Sequence, residues 1–531
     1  MCIASFVINT IDQSIEPNID QSERTTTDQP VSNRGIQLDR VENTQHFNPF
    51  SPARGLSPDW PLLYDTLITP DSRQFGQYQS LIASEITLSQ DKKKLIISLH
   101  TDAQFENGEP ITADDVHSSI SHLMRHGPIN YHRLADEDYE IVTLSKQQLQ
   151  IKSSEKFTSQ RIIHLGTLPI SQMTSLKKES PVGSGAYKLS VHKHKRFALF
   201  TRHNHYWAKR LPTRNQLHQF KTIKLIFLKN KHTAFELFKR GEVDFRWEEL
   251  QENWQTLRQI KRRNQSLNLK EIRHDRPGGM SGFAFNQKRK LLKDIKIRKA
   301  LARAFHFDEI NQSLFQSQYQ RIESYFTNTP YATPLKFNQQ FSLDEADQLL
   351  IQSGWISQDG IRKHTATNEP LTIRILVNSI GNEKIANIYA KNLKFLGIQT
   401  HIERANSADY IYRLQHGDFD LAYYAMTSNP YTENNILAAF TYQPNRHYNF
   451  AQLFHIQNSE LDHALESINQ SENPSKPAMQ EIDHYLMNSH LFIPFWRPSV
   501  DRIAHWSSIE GPNESFTSRP RDYYRWWWPS E

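Results

Sequence analysis

Several spacings in the chain could do chemistry. Gly183-Ser-Gly185 supplies two glycines of a phosphate-cradling loop, which also needs a third glycine and a helix whose first amides face the anion. Here the third glycine is missing and Ala186-Tyr187-Lys188 reads as strand, so a structural turn is expected. Ser153 with Lys156, and Ser175 with Lys178, match the Ser-x-x-Lys spacing of penicillin-binding-type enzymes. The companion Lys-Thr-Gly and Ser-Asp-Asn elements are absent, and both matches read as chance. His192/His194 and His203/His205 are two apart, which on a strand turns both rings to one face. A metal site needs a third ligand and a supporting shell, and no His-Glu-x-x-His occurs; these are read as surface histidines. Cys2, in a loose leader, is a poor thiol nucleophile. No catalytic residue, metal or cofactor is expected, and nothing argues for an enzyme.

The composition narrows the classes further. A chain of 531 residues suggests two to four domains or one large two-lobed fold. With 37% hydrophobic and 11% aromatic residues it can build substantial cores. A single cysteine excludes an intramolecular disulfide and the usual multi-cysteine zinc and iron–sulfur sites. No run of 18 apolar residues predicts a transmembrane helix. The net charge is +6, but the basic runs at 92–94, 261–263 and 288–290 are short and mixed with acids; they read as solvated surface, with no nucleic-acid partner. The opening Met1-Cys-Ile-Ala-Ser-Phe-Val-Ile8 lacks a basic stretch before its apolar run and reads poorly as a signal peptide.

The elements that would position a site can be read from periodicity. Residues 1–34 are expected as a flexible leader, polar from Asp12 onward, and Gly35-Ile-Gln-Leu-Asp39 as the first strand. A short helix is expected over 61–68 and a strand over 95–100. Asn107-Gly108 predicts a tight turn, and Thr112 caps a helix with Asp114 and Asp115 in its first turn. Strand 223–227, helix 233–240 stopped by Gly241 and strand 242–245 predict an α/β lobe. Farther on, Ile297, Ala300, Leu301, Ala304 and Phe305 form one helical stripe. Alternating Leu371, Ile373, Ile375 and Val377, a helix ended by Gly397, and strands at 398–402 and 420–424 predict a second lobe with a partly parallel sheet.

One string is recognisable. Leu99-His-Thr-Asp-Ala-Gln-Phe-Glu-Asn-Gly-Glu-Pro-Ile-Thr-Ala-Asp-Asp-Val116 closely resembles the signature stretch of the family 5 extracellular solute-binding proteins, the peptide-binding components of ABC importers. Asn48-Pro-Phe50, Leu63-Tyr-Asp-Thr-Leu67, Pro181-Val-Gly-Ser-Gly-Ala-Tyr187, Tyr206-Trp207, Gly241-Glu-Val-Asp244, Phe285-Asn286, Asp294-Ile-Lys-Ile-Arg-Lys-Ala-Leu301, Leu396-Gly-Ile398 and Gly417-Asp-Phe-Asp420 agree with the family in order along the chain. Arg276-Pro-Gly-Gly-Met-Ser-Gly-Phe-Ala-Phe-Asn286, Gln318-Tyr-Gln-Arg-Ile-Glu-Ser-Tyr-Phe326 and Trp526-Trp-Trp528 are similar to its YejA branch.

The resemblance implies an α/β, two-lobed periplasmic-binding-protein-like clamp (type II, cluster C) with an extra small domain. It divides the chain into the leader, a first lobe at 35–275 with a small insertion at about 71–179, a second lobe at 276–489 and a return segment at 490–531. It implies a periplasmic monomer that captures an oligopeptide or peptide conjugate in a cleft between lobes and delivers it to an inner-membrane ABC permease. A cytoplasmic ligand-sensing regulator built on the same domain is the alternative. Ligand contacts carry over to Ala425, Met426, Thr427, Ser428 and Asn429 after Gly-Asp-Phe-Asp, to Arg276, Met280 and Phe283 at the lobe crossover, and to Trp496 and Arg497 on the return. Several members place an aspartate, paired with the peptide amino terminus, where Asn429 stands here. Either another acid such as Glu433 does that work, or the amino terminus is not read by charge.

Overall fold

The computed structural model describes residues 4–5, 35–41, 46–53, 55–71, 77–128, 131, 139–212, 214–337, 340–426, 439–440, 449–456, 459–470, 475–512, 524–525 and 527–529. The expected leader, apart from Ala4–Ser5, lies outside them. The chain forms two compact units: Met1–His274 with Val500–Glu531, and Asp275–Ser499.

In unit 1 the alternation in Ile36–Arg40 and Thr222–Phe227 buries every second side chain, and these strands pair in parallel inside a seven-stranded sheet. The order is Leu267–Arg273, Val500–Trp506, Phe245–Trp247, Ile36–Arg40, Thr222–Phe227, Phe197–Arg202, Tyr187–Lys193. Val500–Trp506 is therefore an interior strand supplied by the returning carboxyl end. Within unit 1 a second, antiparallel sheet contains Ala83–Leu88, Lys94–Leu99, Gln148–Ser153 and Tyr139–Ser145, with Ala4–Ser5 on its edge.

The signature string folds locally as its chemistry dictates. Gly108 turns at φ +86°, and Phe105 is buried. Thr112 Oγ1 accepts from the Asp115 amide while the Asp115 side chain accepts from the Thr112 amide, a reciprocal cap on helix Ala113–His126. Asp115 also accepts from Met173 N at 2.8 Å, so the cap ties the helix to a neighbouring turn.

The helix expected over 61–68 is instead a single 3-10 turn, Trp60–Leu62, followed by strand Ile68–Pro70. Carbonyls a helix would use internally are taken by other segments: Gly185 N donates to Leu63 O at 2.9 Å, and Leu81 N and Ala83 N to Leu67 O at 3.0 Å. Gly183 and Gly185 make this approach possible, since a Cβ on either would stand 2.0 Å from Leu63 O or 2.5 Å from Leu62 O. The Gly-Ser-Gly motif is thus a packing device. Tyr206 and Trp207 complete it, donating to buried Asp65 at 3.0 Å each.

Unit 2 is built on a five-stranded sheet ordered Gln399–Arg404, Thr372–Val377, Leu421–Met426, Met280–Phe285, Phe492–Pro494. Thr372–Val377 runs parallel to both its neighbours, with helix Ile380–Phe395 as the crossover to Gln399–Arg404. Helix Ile295–Arg303 buries Ile297, Ala300 and Leu301, as its stripe predicts. The sequence reading starts the return at 490, whereas the chain leaves unit 2 at Ser499. Residues between belong to unit 2 because Phe492–Pro494 pairs with Met280–Phe285, and Trp496–Pro498 with Tyr319–Arg321.

Candidate functional site

The sequence-nominated residues that are described fall in unit 2, around Met280–Phe285 and its partner strands. Met280 opposes Met426, Ser281 opposes Ala425, and Gly282 opposes Pro494. Thr427, Ser428, Asn429 and Glu433 lie outside the described residues.

Phe283 is a core residue. It is fully buried, 4.9 Å from Phe495 and 6.0 Å from Tyr389 by ring centroids, with Phe305 also against it. The run Met280–Phe285 carries apolar side chains on both faces of a central strand, so its outward and inward positions are equally occupied by protein. Met280 is also buried, yet it lines a cavity within unit 2. Met426 is buried at the strand end and Ala425 is exposed.

Trp496 and Arg497 stand on the short strand facing Tyr319–Arg321. Trp496 is half-buried among Phe495, Phe315 and Phe307, stacked on Phe495 at 4.7 Å. Arg497 Nη2 donates to Gln320 Oε1 at 2.8 Å and to Asn328 Oδ1 at 3.3 Å. Asn328 in turn donates to the Arg276 carbonyl at 3.4 Å, and Gly278 N donates to Thr327 O at 3.0 Å. Arg276 and Arg497 are thereby linked through Asn328. Arg497 Nε and Nη1 are buried without a hydrogen-bond partner. Burial lowers the Arg497 pKa, opposed by the charges of Asp275 and Glu323. Among the nominated residues that are described, Arg497 is the one with buried side-chain donors that lack a hydrogen-bond partner.

The motif residues themselves are structural. Asn286 Nδ2 donates to the carbonyls of Gly417 and Phe419 at 3.0 and 2.8 Å, and its amide donates to Asp420 O. Asp420, buried, accepts from Arg374 N at 2.8 Å and ion-pairs with Arg289 at 2.7 Å. These contacts fix where Leu421–Met426 begins.

The sequence reading did not single out the basic wall of the Met280 cavity: Lys299, Arg303, Arg321 and His490. The four-residue spacing of Lys299 and Arg303 on one helix was its visible signal. Among the described residues no group of three or more His, Cys, Asp or Glu could hold a metal ion, and no helix is long and apolar enough to cross a membrane.

Comparison with known proteins agrees over nearly the whole chain. YejA of Escherichia coli (strain K12) is 24% identical across 91% of this chain and 87% of that protein. The probable peptide-binding protein YejA of Agrobacterium fabrum is 26% identical across 87% and 83%. Among solved structures, NikA from Brucella suis, in complex with Fe(III)-EDTA, superposes with a TM-score of 0.77 at 17% identity, covering 94% of this chain and 100% of that one. The oligopeptide-binding protein AppA from Bacillus subtilis, in complex with a nonapeptide, gives 0.71 at 15% over the same shares. The fold is thus the α/β, two-lobed periplasmic-binding-protein type, one of substrate-binding proteins and not of enzymes. With residues 77–448 matched by the model for bacterial extracellular solute-binding proteins, family 5 Middle, the chain belongs to that family of ABC-importer binding proteins and is similar to its YejA branch.

Proposed function

We propose that this protein captures oligopeptides or peptide conjugates in the periplasm and passes them to an inner-membrane ABC permease, working as a monomer. The observation that carries the reading is the end-to-end similarity to a protein named as a probable peptide-binding YejA, at 26% identity over 87% of the chain. The regulator alternative is not favoured, because relatives that match over 87–90% of the chain include proteins named as a putative binding protein and a probable peptide-binding protein. Arg276, Ala425, Trp496 and Arg497, with the segment 427–429, are the candidate ligand contacts. A peptide gives such groups generic backbone partners, and an arginine with open donors suits a carboxylate or a conjugate's phosphate.

A specific observation supports a second reading, that the ligand is a metal chelate: NikA was solved with Fe(III)-EDTA, and it superposes as well as the peptide-bound AppA. Thermal-shift and calorimetric titration with tri- to nonapeptides, and separately with Ni(II)–histidine, decides between them. Saturable stabilisation by peptides supports the first reading, with about 2.7 kcal/mol expected at a hundredfold excess over Kd. Stabilisation by the chelate alone would overturn it.

A further inference from the structure

Helix Ala113–His126, in unit 1, ends on two histidines one turn apart, His122 and His126. Residues four apart share a helix face, and these two rings lie 5.3 Å apart by centroid, inclined at 59°. That separation has a chemical meaning. An imidazole nitrogen bound at about 2.0–2.1 Å puts its ring centroid about 3.2 Å from a metal ion, so two rings at the tetrahedral angle stand about 5.2 Å apart. The same arithmetic disfavours His192 and His194, whose centroids are 6.4 Å apart and which could share an ion only from opposite sides.

The surroundings suit a coordinating pair. His122 is half-buried, its ring edge-on to Phe50 at 6.1 Å, and one of its nitrogens hydrogen-bonds to the Phe50 backbone. Such a bond orients the ring and leaves the other nitrogen to a ligand. His126 is exposed, so the pair opens to solvent. The carbonyls of the helix's last turn add partial negative charge beside it, which favours a cation. Two positive charges oppose: Lys177 acts on His122, and Arg125 shares the last turn. They keep such a site weak. No third His, Cys, Asp or Glu joins the pair among the described residues, so water must complete the coordination.

We propose that His122 and His126 form a two-imidazole site for a borderline divalent cation: copper(II), nickel(II) or zinc(II). The ion bridges the two rings and clamps the end of the helix. The site does not depend on the peptide reading, because the nominated ligand contacts that are described all lie in unit 2.

The test uses the whole protein, stripped with EDTA, dialysed, and titrated calorimetrically with the chlorides of the three metals in a non-coordinating buffer without added histidine. The expected result is a saturable site at which copper(II) binds most tightly. His122→Gln and His126→Gln should each weaken it about tenfold or more, because a single imidazole loses the chelate, while His194→Gln leaves it unchanged. Zinc(II) should shift the imidazole signals of His122 and His126 in NMR spectra, assigned by the same variants. It should also raise the thermal midpoint of the wild type and not that of His126→Gln. Binding unchanged in both variants would mean an adventitious ion on other histidines and would overturn the proposal, as would no saturable binding of any of the three ions. His126→Gln should keep the wild-type response to peptides, so failure of this site and failure of the peptide reading are told apart.

Discussion

Arg40 and Asp59 meet fork to fork in the interior of unit 1, Nε on Oδ2 and Nη2 on Oδ1, both at 2.8 Å. Arg40 ends a strand of the large sheet, and Asp59 precedes the turn Trp60–Leu62. Tyr524, from the returning carboxyl end, donates to the same carboxylate at 3.3 Å. One buried pair thus joins the sheet, the opening loop and the return segment.

Removing one partner leaves the other charge buried. Asp59→Ala should lower unfolding free energy by about 3–5 kcal/mol, whereas the paired replacement Arg40→Met with Asp59→Leu should cost less than that single change. Chemical denaturation of the two variants checks this. Equal losses in both would mean that packing, not charge isolation, governs the site.

Asp65 carries a pH signature. Burial pushes its carboxyl from the ordinary 3.8 up to about 6, against the opposing effects of Arg214 and the hydrogen bonds from Tyr206 and Trp207. The folded pKa is raised, so the protonated form is favoured by folding. The contribution is full below pH 4 and is lost as pH rises through 6, by roughly 2–3 kcal/mol in all. Subtracting the stability profile of Asp65→Asn from that of the wild type should leave a difference that changes between pH 4 and 6 and is flat above 7. A featureless difference would assign Asp65 an ordinary pKa.

Two glycines of one motif should respond oppositely. A Cβ on Gly282 would stand 2.0 Å from Ile493 O in the neighbouring strand, while one on Gly278 meets only Arg497 Cδ at 3.4 Å and Thr327 Cβ at 3.8 Å. Gly282→Ala should cost about 3 kcal/mol or more because backbone must move, and Gly278→Ala within about 0.5 kcal/mol. Thermal unfolding of the pair reads this directly.

Local chemistry explains what was legible. The Thr112–Asp115 cap, the turn at Gly108 and the stripe Ile297, Ala300 and Leu301 depend on neighbours within a few residues, so spacing alone reveals them. The 3-10 turn at Trp60–Leu62 was hidden because its competitors, Gly185, Leu81 and Ala83, are remote in sequence. Phe283 was nominated as a ligand contact because it sits beside the crossover. Only the partners Phe305, Tyr389 and Phe495 reveal it as core, although six largely apolar residues in succession already suggest a strand covered on both faces. The motifs that carry the family resemblance, such as Asn286 and Asp420, turn out to hold the scaffold, so recognition of the family did not itself deliver the site.

Arg497 is where scaffold and ligand reading can be separated. Its Nη2 ties Gln320 to Asn328, and its Nε and Nη1 have no partner. If those donors serve a bound peptide, Arg497→Lys keeps the charge but loses the fork, and Arg497→Met loses both. Peptide affinity should then fall in that order, with Arg497→Met weaker by about tenfold or more, while the unfolding midpoint without ligand moves only about 2 °C. Calorimetry with the tightest peptide found for the wild type supplies the first number and differential scanning the second. A large fall in midpoint with unchanged affinity would make Arg497 a strut between Gln320 and Asn328, and would move the search for the group that binds the ligand's anionic end to Arg276.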